Sequence, residues 1–173
     1  MANIVLIGMP GCGKSAVGVL LAKALQMDFV DTDIVLQQQQ GKKLQEIIDQ
    51  VGNDAFLKIE EDCVRGLECD QTVVATGGSV VYGKEAMRRL HENGLVVYIR
   101  LPYEEIERRL SNLATRGVTL KKGQTLRNLY DERIPLYEAE ADYTFEPEEG
   151  DVQETVLDLA QRLSARMEAD NGR

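Results

Sequence analysis

The residues best suited to chemistry form one glycine-rich stretch near the N-terminus, Gly8-Met9-Pro10-Gly11-Cys12-Gly13-Lys14-Ser15. It matches the pattern G-x-x-x-x-G-K-[ST] in full. In that pattern the glycines turn backbone N–H groups toward phosphates, Lys14 neutralises the β and γ oxygens, and the Ser15 hydroxyl binds Mg²⁺. The stretch therefore predicts an ATP or GTP site with Mg²⁺. The residues expected to contact the nucleotide are Gly11, Cys12, Gly13, Lys14, Ser15 and Ala16.

Two carboxylates, Asp31 and Asp33, follow the apolar segment Phe29-Val30. Because alternate residues of an extended segment point the same way, both carboxylates are expected to face one cleft. One would hold Mg²⁺ through water, and the other would accept a hydrogen bond from an acceptor hydroxyl and take its proton. The alternative is a turn and N-cap before a helix at Ile34. A complete phosphate-binding stretch in the same chain favours the functional interpretation.

The elements that must position these residues alternate along the chain. Residues 4–7 form a continuous apolar run typical of a strand buried on both faces, and residues 15–25 have helical apolar spacing. Further short apolar segments, separated by helix-like stretches, predict strands at residues 29–30, 72–75, 95–99 and 143–145. This alternation predicts an α/β fold of three layers with a mostly parallel sheet.

Two segments stand outside that alternation. Residues 34–67 have a helical pattern with a break at Gly41. Residues 111–124 are polar, contain glycine and lack apolar periodicity, which predicts a mobile loop of the kind that often acts as a lid. A last helix is expected from about Val152 to Met167. With 173 residues and 43% hydrophobic content, the whole chain 1–173 is interpreted as one domain.

Composition excludes several classes of partner. A formal net charge of −9 argues against a nucleic-acid or anionic-membrane surface, because phosphate groups favour Lys and Arg. Three cysteines without metal-type spacing, no signal-peptide pattern and no apolar run near 20 residues favour a cytoplasmic protein with free thiols. The chain also lacks the N-K-x-D segment expected of GTP-specific switches. A short chain with a basic lid-like loop favours a small ATP-dependent kinase.

Five segments occur in the order and spacing seen in shikimate kinases: NIVLIGMPGCGKSAVG, FVDTD, ATGG, VVYIRLP and DERIPLYEAEAD. The chain resembles that family from about Asn3 to Asp142. The resemblance implies a P-loop kinase fold of the nucleoside-monophosphate-kinase type, with a five-stranded parallel sheet flanked by helices, a helical substrate-binding region and a lid. It also implies a monomer that transfers the γ-phosphate of ATP to the 3-hydroxyl of shikimate, in the route to chorismate and aromatic amino acids.

The resemblance also implies a role for each matching residue on the nucleotide and catalytic side. Lys14 and Ser15 would grip ATP and Mg²⁺, and Asp31 would orient the metal through water. Asp33 would bind the acceptor hydroxyls and is the candidate base. Arg116 matches the lid arginine that reaches over the transferring phosphate, where a planar cation stabilises developing charge. Arg109 matches the position that lies against adenine.

Three further positions match residues that bind the acceptor. Gly77 and Gly78 would present backbone N–H groups to it, the alternative being a plain strand-to-helix turn. Arg133 matches one of the two arginines that clamp the acceptor carboxylate, where bidentate geometry favours arginine. Without the motif context, Arg109, Arg116 and Arg133 would each be interpreted as a solvated surface charge.

The chain departs from the family pattern around the acceptor. Leu57 stands in place of the second clamp arginine, which leaves Glu60, the expected support of that arginine, without an obvious partner. Ser79 replaces a third glycine, and Gly117 replaces the proline after the lid arginine. Losing one charged contact of this kind corresponds to about ten- to a hundredfold in affinity.

Three functions are consistent with these residues. The leading one is a shikimate kinase, and the second is a related kinase with the same ATP site and a different small hydroxylated acceptor, which Leu57 and Ser79 favour. The third is a nucleotide-binding regulator that has lost catalysis. Intact Lys14, Asp33 and Arg116 count against it, because such polar residues should be the first to change when activity is lost.

Overall fold

Parallel strands form the centre of the fold. The computed structural model describes residues 3–111, 123–147 and 151–171. Within these ranges five strands make one sheet in the order β2-β3-β1-β4-β5, and every neighbouring pair is parallel. The strands are β1 Asn3–Ile7, β2 Asp28–Asp31, β3 Thr72–Ala75, β4 Gly94–Ile99 and β5 Tyr143–Phe145. The predicted five-stranded parallel sheet, flanked by helices, is confirmed.

The described helices connect and cover these strands. They are α1 Lys14–Leu25, α2 Thr32–Gln40, α3 Leu44–Val51, α4 Asn53–Arg65, α5 Lys84–Asn93, α6 Tyr103–Ser111, α7 Leu126–Glu140 and α8 Val152–Asn171, with a 3₁₀ turn at Val80–Tyr82. Gly41 ends α2 at a positive φ of 65°, as the predicted break requires. The last helix runs to Asn171 rather than Met167, because residues 168–171 contain no glycine or proline to stop it.

The buried apolar side chains form two separate clusters. The larger one surrounds β1, whose residues are all buried, and it draws in Leu21 of α1, Met87 of α5, Tyr137 of α7 and Leu159 of α8. A continuous apolar strand is expected where both faces of a parallel sheet are covered. The smaller cluster joins α2, α3 and α4 through Leu36, Ile47, Ile48, Phe56 and Cys63. The helical region predicted at 34–67 thus has an apolar cluster of its own.

The carboxyl ends of β1, β2 and β3 meet along one edge of the sheet. β1 leads into the glycine-rich stretch, β2 ends at Asp31, and β3 leads into Gly77 and Gly78. Open α/β sheets bind their ligands at this edge. Residues 112–122, with Arg116, Gly117 and most of the predicted lid, lie outside the described residues. None of the helices within the described ranges combines the length and the apolar character needed to cross a bilayer.

Candidate active site

The turn between β1 and α1 has the backbone of a phosphate-binding loop. Gly8, Gly11 and Gly13 adopt φ angles of 144°, 79° and 98°, which favour glycine. Gly13 is also the N-cap of α1, where no side chain caps the helix and no acidic residue occupies the first turn. The positive end of α1 is therefore directed into the loop without a competing carboxylate, which suits an anion.

Lys14 lies within this loop rather than on the surface. Its side chain is buried, and Nζ donates hydrogen bonds to Gly8 O at 2.8 Å and Met9 O at 3.0 Å. The buried Cys12 Sγ lies 3.7 Å from the same nitrogen, so the thiol fills space beneath the loop. The carbonyl groups of Gly8 and Met9 thus hold the Lys14 ammonium inside the loop, where it could contact bound phosphates.

Ser15 and Asp31 meet, as a shared metal site requires. The Ser15 hydroxyl donates to Asp31 Oδ2 at 2.6 Å, while Asp31 Oδ1 accepts from the backbone N–H groups of Asp33 at 3.0 Å and Ile34 at 3.4 Å. Asp31 is therefore the N-cap of α2 as well as the neighbour of Ser15. The capping bonds start the helix at Thr32, so the expectation that Asp33 belongs to an extended segment was wrong.

The donor set fits Mg²⁺ that arrives with a nucleotide. Mg²⁺ prefers oxygen ligands and is usually held by one or two protein oxygens, with waters and substrate phosphates completing its shell. The Ser15 hydroxyl and the Asp31 carboxylate supply such oxygens. The described residues contain no cluster of three or more His, Cys, Asp or Glu that would hold a metal alone. A metal at this site would therefore depend on phosphate oxygens.

Asp33 faces the edge of the sheet from the first turn of α2. Burial, reinforced by the negative charge of Asp31, raises the pKa of Asp33 to about 6, against the opposing effect of the Lys14 cation. A carboxylate with a pKa near neutrality is suited to take up a proton at physiological pH. The environment of Asp33 therefore has the properties expected of a general base.

Glu60 of α4 is buried next to Asp33. The Ser79 hydroxyl donates to Glu60 Oε2 at 2.6 Å, so the expectation that Glu60 lacks a partner was wrong: the serine that replaces a glycine supplies one. Glu60 Oε1 is buried and has no hydrogen-bond partner in the described part of the chain. Burial raises the pKa of Glu60 to about 7; the Asp33 charge adds to this, whereas the Ser79 hydrogen bond, Arg133 and Lys14 oppose it.

Gly77 and Gly78, here called the glycine strip, lie at positions where neighbouring atoms leave no room for a side chain. A methyl group on Gly77 would overlap Glu60 Oε1 and lie 2.8 Å from Asp33 Oδ1. A methyl group on Gly78 would lie 2.8 Å from Pro10 Cδ and 3.1 Å from an Arg133 terminal nitrogen. Both positions therefore require glycine, because Glu60, Asp33, Pro10 and Arg133 leave no room for a side chain.

One expectation about the glycine strip needs correction. The Gly77 N–H donates to Thr32 Oγ1 at 3.1 Å, so in this structure it is engaged by the protein rather than directed at an acceptor. The reason is the early start of α2, which brings the Thr32 hydroxyl beside the end of β3.

Arg133 of α7 is buried and not a surface charge. It is 1% exposed, its guanidinium carbon lies 5.3 Å from the centroid of the Tyr82 ring, and Nε donates to Tyr82 Oη at 3.4 Å. Tyr137, one helical turn further along α7, donates to Gly78 O at 2.5 Å. α7 therefore fixes a cation beside the glycine strip.

Arg109 of α6 lies on the outer side of the phosphate-binding loop. Its side chain is 38% exposed, Nε pairs with Glu105 Oε1 at 2.6 Å, and a terminal nitrogen donates to Gly11 O at 3.4 Å. This location is compatible with a nucleotide base above the loop. Arg116, the other arginine expected near the nucleotide, is outside the described residues.

The structure adds side chains that sequence reasoning missed. Thr32 holds Gly77, and Tyr82 links Arg133 to Glu132, because the Tyr82 hydroxyl donates to Glu132 Oε1 at 2.6 Å. The only signal in the sequence was the position of the Thr32 hydroxyl between the two candidate aspartates Asp31 and Asp33. Tyr82 and Glu132 lie fifty residues apart, so only the fold brings them together.

Comparison with known proteins gives a consistent result. A family model described as shikimate kinase matches residues 10–164. A shikimate kinase of Thermodesulfovibrio yellowstonii is 37% identical over 172 residues, which covers 95% of this chain and 98% of the relative. One of Clostridium botulinum is 41% identical over 138 residues, or 78% and 81% of the two chains. The structure of a shikimate kinase from Acinetobacter baumannii in complex with shikimate matches with a TM-score of 0.84 at 29% identity, covering 98% of this chain and 94% of that one.

Proposed function

The chain belongs to the shikimate kinase family, and from this we propose that it transfers the γ-phosphate of ATP to the 3-hydroxyl of shikimate, with Mg²⁺ bound to the nucleotide. One observation carries the proposal for this chain. A methyl group on Gly78 would contact both Pro10 of the phosphate-binding loop and the buried Arg133. Donor and acceptor groups therefore adjoin at one point of the sheet edge, as phosphoryl transfer between two bound molecules requires.

On the nucleotide side, the proposal assigns the phosphates to the backbone of residues 11–16 and to the Lys14 ammonium. Ser15 and Asp31 would hold Mg²⁺, Asp31 through water. The metal would supply positive charge against the transferring phosphoryl group. Arg109 would lie against adenine, and Arg116 would reach over the phosphate. These roles are supported by the loop geometry and the Ser15–Asp31 hydrogen bond.

On the acceptor side, the proposal assigns the reacting hydroxyl to Asp33. The carboxylate would accept a hydrogen bond from this hydroxyl and take its proton as the new O–P bond forms. Its raised pKa supports this role, because a base with a pKa near 6 is deprotonated at neutral pH yet basic enough to assist the transfer. Arg133 would bind the acceptor carboxylate, and the glycine strip would lie against the acceptor ring.

A steady-state assay tests the proposal. ADP formation is measured with ATP and Mg²⁺, with and without shikimate, and the phosphorylated carbon is identified by phosphorus–proton coupling in NMR spectra. We expect shikimate-dependent ADP formation and a 3-phosphate product. Tight ATP binding without turnover on shikimate would contradict the proposal.

A second candidate rests on Leu57 and Ser79, which replace an arginine and a glycine near the acceptor. They favour a kinase with the same nucleotide site and a different small hydroxylated acceptor. An acceptor series of shikimate, quinate and gluconate separates the two candidates, because the physiological class should show the lowest KM. A silent regulator would bind ATP and turn over none of them.

The proposal extends to the state of the protein. We propose that residues 1–173 act as one domain, as a monomer in the cytoplasm, in line with the resemblance described above. Light scattering at working concentration tests the monomer, and a single cooperative unfolding transition tests the single domain.

A further inference from the structure

The Tyr82 side chain contacts the buried Arg133 in two ways. The guanidinium carbon of Arg133 lies over the Tyr82 ring, 5.3 Å from its centroid, and Nε donates a hydrogen bond to Tyr82 Oη at 3.4 Å. Arg133 is buried, so water competes little with either contact. The position of the guanidinium therefore depends on the phenol.

Glu132 fixes the direction of the Tyr82 hydroxyl. Tyr82 Oη donates to Glu132 Oε1 at 2.6 Å, and Gln124 Nε2 donates to the other carboxylate oxygen at 2.9 Å. A phenol has a single proton, and an ionised carboxylate can only accept. The Tyr82 proton is therefore committed to Glu132, and the phenolic oxygen accepts the hydrogen bond from Arg133. A phenol that donates to an anion is also a stronger acceptor, because hydrogen bonds in a chain polarise one another.

The hydrogen bond at Nε has a consequence for the rest of the guanidinium. The group is planar and rigid, so fixing Nε and the ring contact fixes the plane in which the two terminal nitrogens lie. One of these nitrogens lies 3.1 Å from where a methyl group on Gly78 would be. A carboxylate bound beside Gly78 would thus meet a fork of donors that is oriented before the ligand arrives, which favours bidentate binding.

We propose that Tyr82 is a positioning residue for the acceptor carboxylate: it orients the Arg133 guanidinium toward Gly78, and Glu132 orients Tyr82 in turn. This inference rests on the proposed function and adds to its acceptor specificity, because the network favours acids over neutral polyols of the same size. Tyr82 ends the 3₁₀ turn that follows the glycine strip, where its N–H donates to Ser79 O at 3.0 Å. One short segment therefore carries both the glycine beside the ligand and the tyrosine behind the arginine.

The test compares Tyr82→Phe, which removes the hydroxyl and keeps the ring, with the matched control Tyr103→Phe. Tyr103 also lies under an arginine, with Arg127 at 4.7 Å from its ring centroid, and donates to Glu107 Oε1 at 2.7 Å, but both of these partners are exposed. We expect Tyr82→Phe to raise the KM for shikimate about three- to tenfold, with kcat and the KM for ATP within about twofold. Tyr103→Phe should match the parent. An unchanged KM for shikimate, or an equal change in both Michaelis constants, would overturn the proposal.

An acceptor without a charged carboxylate separates positioning from general damage to the fold. The methyl ester of shikimate cannot make the charged bidentate contact, so its KM should be the same for the parent and for Tyr82→Phe within about twofold. A merely structural defect would raise the KM for the acid and for the ester alike. That result would refute an action through the carboxylate.

A double-mutant cycle tests whether Tyr82 acts through Arg133. In an Arg133→Lys background, Tyr82→Phe should have no further effect on the KM for shikimate, because a lysine has no planar fork to orient. Additive effects would contradict the proposal. Should Tyr82→Phe fail to fold, Glu132→Gln replaces it: the KM for shikimate should rise while that for the ester stays constant, and any other pattern would overturn the proposal.

The outcome remains decisive if the parent does not turn over shikimate. In that case the proposed function fails, and calorimetric binding of shikimate, quinate and gluconate in the presence of ADP decides the role of Tyr82. Weaker binding of the best ligand to Tyr82→Phe, with Tyr103→Phe unchanged, would support the role. Equal binding, or no binding of any of the three to the parent, would overturn it.

Discussion

The nucleotide side and the acceptor side of this site are built in different ways. The proposed nucleotide side is one contiguous turn between β1 and α1, with glycines at positive φ and a lysine held by the turn's own carbonyls. The proposed acceptor side combines Asp33 of α2 with Arg133 of α7, next to the buried Glu60 of α4, and these residues meet only through tertiary packing. The departures from the family pattern at Leu57 and Ser79 lie on the assembled acceptor side.

The largest effect is expected on the nucleotide side. Lys14→Ala should reduce turnover by about a thousandfold or more with any acceptor, because it removes a buried cation from the developing phosphoryl charge. ADP formation under saturating shikimate measures it. Lys23→Ala, at the exposed end of the same helix, is the control and should retain full activity. Substantial activity in Lys14→Ala would show that the loop does not act through its lysine.

Asp33→Asn separates catalysis from nucleotide binding. We expect kcat to fall about a hundredfold or more, because the candidate base can no longer take the hydroxyl proton, while the Kd for ATP stays within about twofold. Asp28→Asn, at the exposed start of β2, serves as the control. Single-turnover kinetics distinguish slow chemistry from slow release, and an unchanged chemical step would remove Asp33 from the mechanism.

Arg133→Lys addresses the acceptor side alone. A lysine keeps the charge but loses the planar, bidentate guanidinium, so the KM for shikimate should rise about tenfold with the KM for ATP unchanged. Arg127→Lys on the same helix, where the side chain pairs with Asp131 at the surface, is the matched control. If both Michaelis constants changed together, the two sides would be less separate than the geometry indicates.

Glu60→Gln should reveal that the ionised Glu60 carboxylate lowers the stability of the folded protein. With a pKa near 7 when folded and an ordinary value of 4.5 when unfolded, Glu60 holds its proton longer in the folded state, so it lowers the free energy of unfolding as pH rises from 4.5 to 7. Glu60→Gln should therefore leave the melting temperature unchanged at pH 4.5 and raise it at pH 8, by an amount corresponding to about 3 kcal/mol. Thermal unfolding at both values, with Glu61→Gln as control, measures this difference.

The smallest effect is expected from restoring an arginine. Leu57→Arg should lower the KM for shikimate by up to about tenfold, through one added charged contact to the acceptor carboxylate. Leu57→Lys controls for charge without the planar fork. An unchanged or higher KM would mean that the acceptor side has been rebuilt around the leucine.

Sequence patterns predicted the sheet and the glycine-rich turn after β1 well, because both depend on local features. The apolar run of β1, the glycines after it and Lys14 are neighbours in the chain, so spacing alone specifies them. The start of α2 was wrong by two residues, because the capping bonds of Asp31 compete with an extended backbone at Thr32 and Asp33.

The acceptor side was harder to predict, because its contacts join distant residues. The hydrogen bond from Ser79 to Glu60 spans nineteen residues, and the one from Tyr82 to Glu132 spans fifty. Hydrophobic periodicity does not predict such pairs, because it reflects only neighbouring residues in the chain. Leu57 and Ser79 did identify the region where this chain departs from the family pattern. The structure adds the hydrogen bond that connects Ser79 with Glu60.

The position of β1 has a consequence for the order of folding. It precedes the other four strands of the sheet along the chain, yet it lies at the centre of the sheet, with Val5 beside Val74 on one side and Val96 on the other. Both neighbours of β1 exist only after more than half of the chain has been synthesised, because β4 ends at Ile99. Such non-local strand pairing is slow. The glycine-rich turn is therefore synthesised before its flanking strand β1 can be enclosed, because that enclosure requires β4.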